Sequence, residues 1–383
     1  MCPNEDERAR ERAERKAEVG TMKFGVNFFP VVDPEIRSAT ECYDLAGELS
    51  ELADNLGYEH VQTVEHYLSP YGGYCPDPVT LLTALAARTR HVRIITGAVI
   101  PAFTHPLKLA GKLAMLDHLS HGRLDVGFGR GFLPTEFAAF GVPMDESRAR
   151  FAEGIEACRQ LWTTEDLVWQ GKFHQFGPVT LLPRPYQRPH PPIFVASATS
   201  AESCAAAGAE GHHLQVVPSV TSAEQLQAML AAYREAWARA GHTPGGYRIQ
   251  VKYTCYLAPR HKDALDSARQ WEQSYVDHMA GAVAPLANGA GADYPGYEKF
   301  AEKAAAYDFD TALAAHKVLA GDANAVREQI GAVREALGSD IDLSLQFSPG
   351  GLERDKALAA VRLFADKVMP AFRDQRTPLA AAR

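Results

Sequence analysis

The sequence predicts an α/β chain wound into a (β/α)8 TIM-type barrel. Three observations predict it. Short runs rich in Val, Ile and Phe alternate with helix-period segments, the mark of βαβ units around a parallel sheet. Eight such runs can be counted, near residues 24, 60, 92, 123, 193, 213, 247 and 341. Eight parallel strands with crossover helices fit a closed barrel better than an open doubly wound sheet.

Run 24–29 opens the series, and a helix follows over 42–56 with Leu45, Leu49, Leu52 and Leu56 on one face. Run 60–67 leads into a Pro/Gly/Tyr-rich loop at 68–78. Next come a helix over 79–89, a strand over 92–100, a helix over 105–119, a strand over 123–128 and a helix over 147–162. Residues 163–192 break the rhythm: Trp169, Phe173 and Phe176 precede five prolines between Pro183 and Pro192. This insertion after strand 4 reads as a hairpin packed on the barrel, not as a crossover helix. The alternation resumes with strands over 193–196, 213–217 and 247–257, separated and followed by helices from Ala201, over 222–240 and over 262–279. The Ala/Gly-rich stretch 280–296 after strand 7 is expected to be a mobile lid, since long loops in compact domains tend to be functional. A helix over 322–337, a strand over 341–347 and a helix over 353–372 complete the barrel. The expected boundaries are an exposed charged extension at 1–21, one barrel domain at 22–372 and a C-terminal tail at 373–383.

Composition narrows the function. Of 383 residues, 46% are hydrophobic, enough for a sizeable core. The balance of 39 Lys+Arg against 47 Asp+Glu leaves a net charge of −8 and no basic stripe, which argues against nucleic acid as a partner. The apolar run 97–103 falls short of the ~20 residues that span a membrane. Six cysteines at 2, 42, 75, 158, 204 and 255 include no C-x-x-C pair, so zinc ribbons and dithiol chemistry are disfavoured. Residues 1–20 are crowded with mixed charges and lack the apolar core of a signal peptide, so a cytoplasmic location is expected.

In such a barrel the active site lies at the C-terminal ends of the strands. The second strand ends in Glu65-His66-Tyr67, where His66 can act as a base or donate to a ligand and Glu65 can set its tautomer. The third ends in Thr96-Gly97-Ala98-Val99, small enough for a flat ligand to approach. The fourth runs into Gly127-Phe128-Gly129-Arg130-Gly131, a loop able to bend around an anion with Arg130 supplying the charge. It is neither the dinucleotide fingerprint nor a Walker loop. The fifth leads into 196–202, where Thr199 and Glu202 have capping-box spacing and a helix start offers backbone N–H groups to a phosphate. H-E-x-x-H, G-x-S-x-G and EF-hand patterns are absent. His118, His121, His212 and His213 have no carboxylate or cysteine ligands at matching spacing, so no metal is expected.

These pieces form an ordered series. From His105-Pro106 through Leu116-Asp117-His118-Leu119-Ser120-His121-Gly122-Arg123-Leu124 to Gly129-Arg130-Gly131, the chain resembles the bacterial luciferase family of flavin monooxygenases. Glu65-His66, Phe140-Gly141, Pro183-Arg184-Pro185 and Pro191-Pro192 support the resemblance, which spans 22 to about 370. Trp271-Glu272-Gln273-Ser274-Tyr275-Val276 looks like a segment of the luciferase catalytic subunit before its mobile loop.

The resemblance implies roles. His66 matches the family's active-site histidine. Gly97-Ala98 falls where the family carries a non-prolyl cis peptide beneath the flavin ring. Arg130 matches the arginine on the flavin phosphate, Gly129 and Phe132 fall beside the ring, and Ser197, Ala198, Ser200 and Ala201 form the other half of the phosphate site. Tyr67 and Trp271 are expected in the substrate pocket. Gly129 stands where luciferase has a reactive cysteine, Tyr67 replaces a second histidine and Ala201 replaces a hydroxyl residue. These departures leave flavin binding in place and count against light emission and aldehyde specificity.

The implied activity is oxygenation of a small organic substrate, aldehyde-like or a secondary-metabolite scaffold, by reduced FMN and O2 through a flavin C4a-(hydro)peroxide. A separate flavin reductase would supply the reduced FMN, because no nicotinamide site is visible. The family also implies a homodimer. The rivals are a deazaflavin-dependent hydride-transfer enzyme on the same barrel, a non-catalytic flavin-binding partner subunit and, more distantly, a metal hydrolase.

Overall fold

The computed structural model describes residues 21–288, 294 and 297–373. The charged extension and the tail therefore lie outside the described residues, except at Thr21 and Arg373. Strands β1 (Phe24–Phe28), β2 (His60–Thr63), β3 (Arg93–Thr96), β4 (Leu124–Phe128), β7 (Ile193–Ser197), β8 (His213–Val216), β9 (Ile249–Leu257) and β11 (Ile341–Gln346) pair in parallel, each with its neighbour. Strand β9 pairs with both β8 and β11, at Ile249↔Leu214 and Ile249↔Ile341, and this double pairing closes the barrel. All eight runs expected from the sequence are strands of it.

The helices form an outer ring. Helix α1 (Ala39–Leu56) begins with a reciprocal cap between Ser38 and Glu41 and ends at Gly57 with φ 75°. Its stripe buries Leu45, Leu49 and Leu52, each worth ~1.5–3 kcal/mol when fully removed from water. Helices α2 (Pro78–Arg88) and α3 (Pro106–Leu119) start on proline at the first turn, where the missing N–H costs nothing. The ring continues with α4 (Pro134–Ala139), α5 (Ser147–Thr163), α6 (Ala201–Ala209), α7 (Ala223–Arg239), α8 (His261–Val283), α9 (Phe300–Ala305), α10 (Phe309–Ala314), α11 (Ala323–Leu337) and α12 (Arg354–Lys367). The insertion holds an antiparallel hairpin of β5 (Leu167–Gln170) and β6 (Gln175–Val179), anchored where the Glu153 carboxylate accepts the backbone N–H groups of Phe173 and His174.

The elements differ from expectation where they are short or where the mouth bends them. Strands β2 and β3 stop at Thr63 and Thr96, because the chain turns there across the barrel mouth; Val99 rejoins β4 only as an isolated bridge to Phe128. Helices α4, α9 and α10, and strand β10 (Leu319–Gly321) on the far end of β9, are too short to show a period in sequence. Stretch 280–296 is not loop throughout: α8 runs on to Val283 and a 3-10 turn covers Ala284–Asn288, as alanine-rich sequence favours. Residues 289–293, 295 and 296 of the expected lid lie outside the described residues.

The barrel interior is unusually polar. His60, Ser344, Gln62 and Gln250 are buried and joined: His60 Nε2 lies 3.0 Å from Ser344 Oγ, which donates to Gln62 Oε1 at 2.9 Å, and Gln250 Nε2 lies 2.9 Å from His60. Gly25 leaves room for this layer; a Cβ there would sit 2.1 Å from His60 Nε2. At the opposite end from the mouth, the fully buried Asp125 accepts from Arg93 Nε at 2.8 Å and Arg248 Nη1 at 2.7 Å, tying β3, β4 and β9. Removing one partner of such a cluster strands like charges in low dielectric. Asp125→Ala is expected to lower unfolding stability by about 3 kcal/mol, read as a fall in the urea midpoint; an unchanged midpoint would show that the two arginines find other partners.

Candidate active site

One cavity of about 930 Å³ opens at the C-terminal ends of the strands. Its wall can be built strand by strand.

Strand β2 delivers His66 into it, 7% exposed. The ring sits among Phe29, Tyr71 and Phe132, with centroids at 5.6, 5.5 and 5.7 Å. Its Nδ1 lies 3.0 Å from Oε1 of Glu136, a fully buried carboxylate that also accepts the Tyr67 backbone N–H at 2.7 Å. The orienting partner is therefore Glu136 on α4. Glu65, expected in that role, is bonded elsewhere: it accepts the Tyr67 hydroxyl at 2.6 Å and the Ile100 N–H at 2.9 Å, which ties the β2 and β3 loops together. A carboxylate on Nδ1 fixes the tautomer and leaves Nε2 as the nitrogen without a protein hydrogen bond. Gly72, at φ 82°, lies beneath; a Cβ there would be 2.9 Å from His66 Cδ2.

Strand β3 ends in a non-prolyl cis peptide between Gly97 and Ala98, both on the cavity wall. A Cβ on Gly97 would be 1.7 Å from Gln62 Nε2. The Gly97 carbonyl accepts from Lys252 Nζ at 2.7 Å, and burial pushes that ammonium down to about 7.

Strand β4 gives Gly129, Arg130, Gly131 and Phe132 to the wall. The Arg130 guanidinium lies 4.1 Å from the Tyr294 ring centroid, and its Nη1 is buried with no hydrogen-bond partner among the described residues. The Tyr294 hydroxyl donates to the Gly131 carbonyl at 2.9 Å, so residues after α8 pack over this loop.

Strand β7 contributes Ser197, Ala198 and Ser200. Helix α6 starts on Ser200, whose hydroxyl accepts the Ser203 N–H at 3.1 Å; the cap is Ser200 and not Thr199. Ala201 is the first helical residue and packs on the core, outside the cavity lining. Among the described residues no group of three or more His, Cys, Asp or Glu could hold a metal ion, and no helix is long and apolar enough to cross a membrane.

The family model for luciferase-like monooxygenases matches residues 22–340. The chain belongs to the luciferase-like monooxygenase family. It is 31% identical over 354 residues, 88% of this chain and 91% of the relative, to the oxygenase component of a flavin-dependent trigonelline monooxygenase from Acinetobacter baylyi. Among solved structures, monooxygenase RslO1 from Streptomyces bottropensis is 49% identical with a TM-score of 0.83, covering 92% of this chain and 100% of that one. The oxygenating constituent of 3,6-diketocamphane monooxygenase from Pseudomonas putida, solved with FMN, shares the fold at 22% identity and a TM-score of 0.75, over 92% and 98% of the two chains.

Within this luciferase-like monooxygenase the structure gathers His66, Gly97, Ala98, Gly129, Arg130, Phe132, Ser197, Ala198 and Ser200 around one cavity. Tyr67 and Trp271 are not in its wall. The Tyr67 ring packs on Phe103 and Phe140, and Trp271 fits against Gly350 and Gly351, where a Cβ would come within 2.7 and 2.5 Å of its ring. The wall beside them is made by Glu272, Tyr275 and Met279, one face of α8 at i, i+3 and i+7. Burial pushes Glu272 up to about 7, against the pull of the Thr254 and Tyr256 hydroxyls, and Glu65 likewise to about 7. Both carboxyls hold a proton below about 7 and release it above. Infrared difference spectra across that pH are expected to show a buried carboxylic-acid band that fades as pH rises and is diminished in Glu272→Gln; spectra with no such band would show the group ionised throughout.

Proposed function

We propose that this chain is the oxygenase of a two-component flavin system, taking reduced FMN from a separate reductase and using O2 to place one oxygen atom on a small organic substrate. The carrying observation is the pairing across one cavity of a buried, unpartnered guanidinium nitrogen on Arg130 with the capped start of α6 at Ser200. The leading N–H groups of a helix have no carbonyl partner and attract a phosphate. Arg130, Ser200 and the first turn of α6 would hold the phosphate. Gly97, Ala98, Gly129 and Phe132 would hold a flat ring between small residues and an aromatic face. The name of the trigonelline relative, an oxygenase component, favours a reductase partner.

Reduced FMN held by these residues would supply two electrons, with one oxygen atom of O2 going to the substrate and the other to water. The chain's own task is to position, to manage a proton and to exclude water, because escape of hydrogen peroxide competes with transfer. His66 is placed for the proton: Glu136 holds Nδ1, and Nε2 is the nitrogen able to donate or accept in the cavity. The rings of Phe29, Tyr71 and Phe132 shield it. Tyr294 and Tyr297, beyond α8, pack against Arg130 and Phe132, which supports a covering role for that segment.

Anaerobic titration of the chain with reduced FMN tests the reading. Saturable binding is expected, weakened about ten- to hundredfold in Arg130→Met, as for loss of a charged hydrogen bond to phosphate. In aerobic turnover, His66→Ala is expected to keep flavin binding while releasing more peroxide per substrate oxidised. Failure to bind FMN, with binding of a deazaflavin instead, would overturn the cofactor.

A further inference from the structure

The strongest unexplained group is Lys252. It stands in β9 between Val251 and Tyr253, both buried, and its side chain reaches the cavity wall. Its Nζ donates to the Gly97 carbonyl at 2.7 Å, at the cis peptide that forms part of the flavin-facing floor. An ammonium has three donors and no acceptor, and a carbonyl partner leaves its charge uncompensated. Among the described residues Lys252 makes no ion pair, and burial alone accounts for its lowered affinity for a proton. The titratable group that feels its charge from inside the barrel is His60 on β2, which burial holds well below its ordinary range and which offers no negative charge. Among the other buried ionic groups of the barrel, Asp125 is met by two arginines, and one oxygen of Glu136 by His66 and a backbone N–H. Lys252 meets its burial either by giving up its proton or by gaining an anion that enters the cavity and holds it charged. The phosphate end is served by Arg130 and α6, which leaves the ring. Oxidised isoalloxazine is neutral; the reduced ring becomes an anion when its N1 proton leaves.

We propose that Lys252, fixed against the Gly97 carbonyl, is the counter-cation that makes this site select the anionic reduced flavin over the oxidised one. A positive charge near the pyrimidine edge is one of the levers by which a protein tunes a flavin. Selection of this kind suits an oxygenase that must capture reduced flavin from a reductase and release it oxidised. Lys252 is on this account a binding and positioning residue, and the account rests on the flavin reading above.

The test is anaerobic measurement of Kd for oxidised and reduced FMN on the full chain, as wild type, Lys252→Arg and Lys252→Gln. Glutamine keeps a donor for Gly97 without the charge. The expected result is that Lys252→Gln loses about tenfold of the preference for reduced over oxidised FMN, equal to a potential lower by about 30 mV for a two-electron couple, while Lys252→Arg retains it. An equal effect on both forms, or none, would overturn the proposal and leave Lys252 as a prop for the Gly97 carbonyl. A measurement on the wild type alone guards against a variant that does not fold: bound reduced FMN should keep the absorbance of its anion at lower pH than free reduced FMN does, and titration of bound and free flavin together would overturn the proposal. Wild type that binds neither form would sink the flavin reading itself, a result distinct from both.

Discussion

Glu136 is buried completely, yet it receives both the His66 ring and the Tyr67 backbone N–H on one oxygen. The arrangement of the cavity follows from that carboxylate. A buried charge persists only when hydrogen bonds replace the water it gave up, so the β2 loop and α4 are obliged to stay together. Helix α4 is too short to hold itself; Leu133 and Phe137, both buried, pin it to the barrel. One short stretch, 129–139, thereby carries Arg130 and Phe132 on the cavity wall and Glu136 behind the histidine. Any shift of this stretch would move all three at once, so they keep a common geometry.

The barrel divides its polar groups by depth. Far from the mouth, Asp125 with Arg93 and Arg248 is a closed structural cluster. The middle layer of His60, Gln62, Gln250 and Ser344 is joined within itself, although His60 Nδ1, Gln62 Nε2 and Gln250 Oε1 have no partner among the described residues. Nearer the mouth, among the described residues, Arg130 Nη1 lacks a hydrogen-bond partner, Lys252 makes no ion pair, and burial pushes the Glu272 carboxyl up to about 7. A folded protein tolerates such unmet groups where a ligand completes them.

Much of this was legible in the sequence, and the reasons for the gaps are local. Strand ends are marked by where apolar runs stop, so His66 and Arg130 stood out together with their neighbours at 97–98, 129–132 and 197–200. Glu136 did not, because α4 has only six residues and shows no period. Lys252 left one faint signal, a lysine inside the apolar run of β9. Trp271 was misplaced for a geometric reason: successive helix residues differ by about 100°, so Trp271 packs on Gly350 and Gly351 while Glu272 faces the cavity. Tyr275, four residues on and on the same side of α8, does line the cavity, and composition alone cannot place the edge of the cavity-facing stripe between the two. The exchange of Glu65 for Glu136 has the same origin, since a neighbour in sequence is easier to see than a partner seventy positions away.

The central claim is that one flavin lies across the cavity from the Arg130 side to His66. A crystal structure of the chain soaked anaerobically with FMN tests it most directly. The account predicts the phosphate against Arg130 and the start of α6 at Ser200, with the ring over Gly97 and Ala98 and its reactive edge toward His66. A phosphate bound elsewhere, or a cavity that stays free of flavin at saturating FMN, would contradict it.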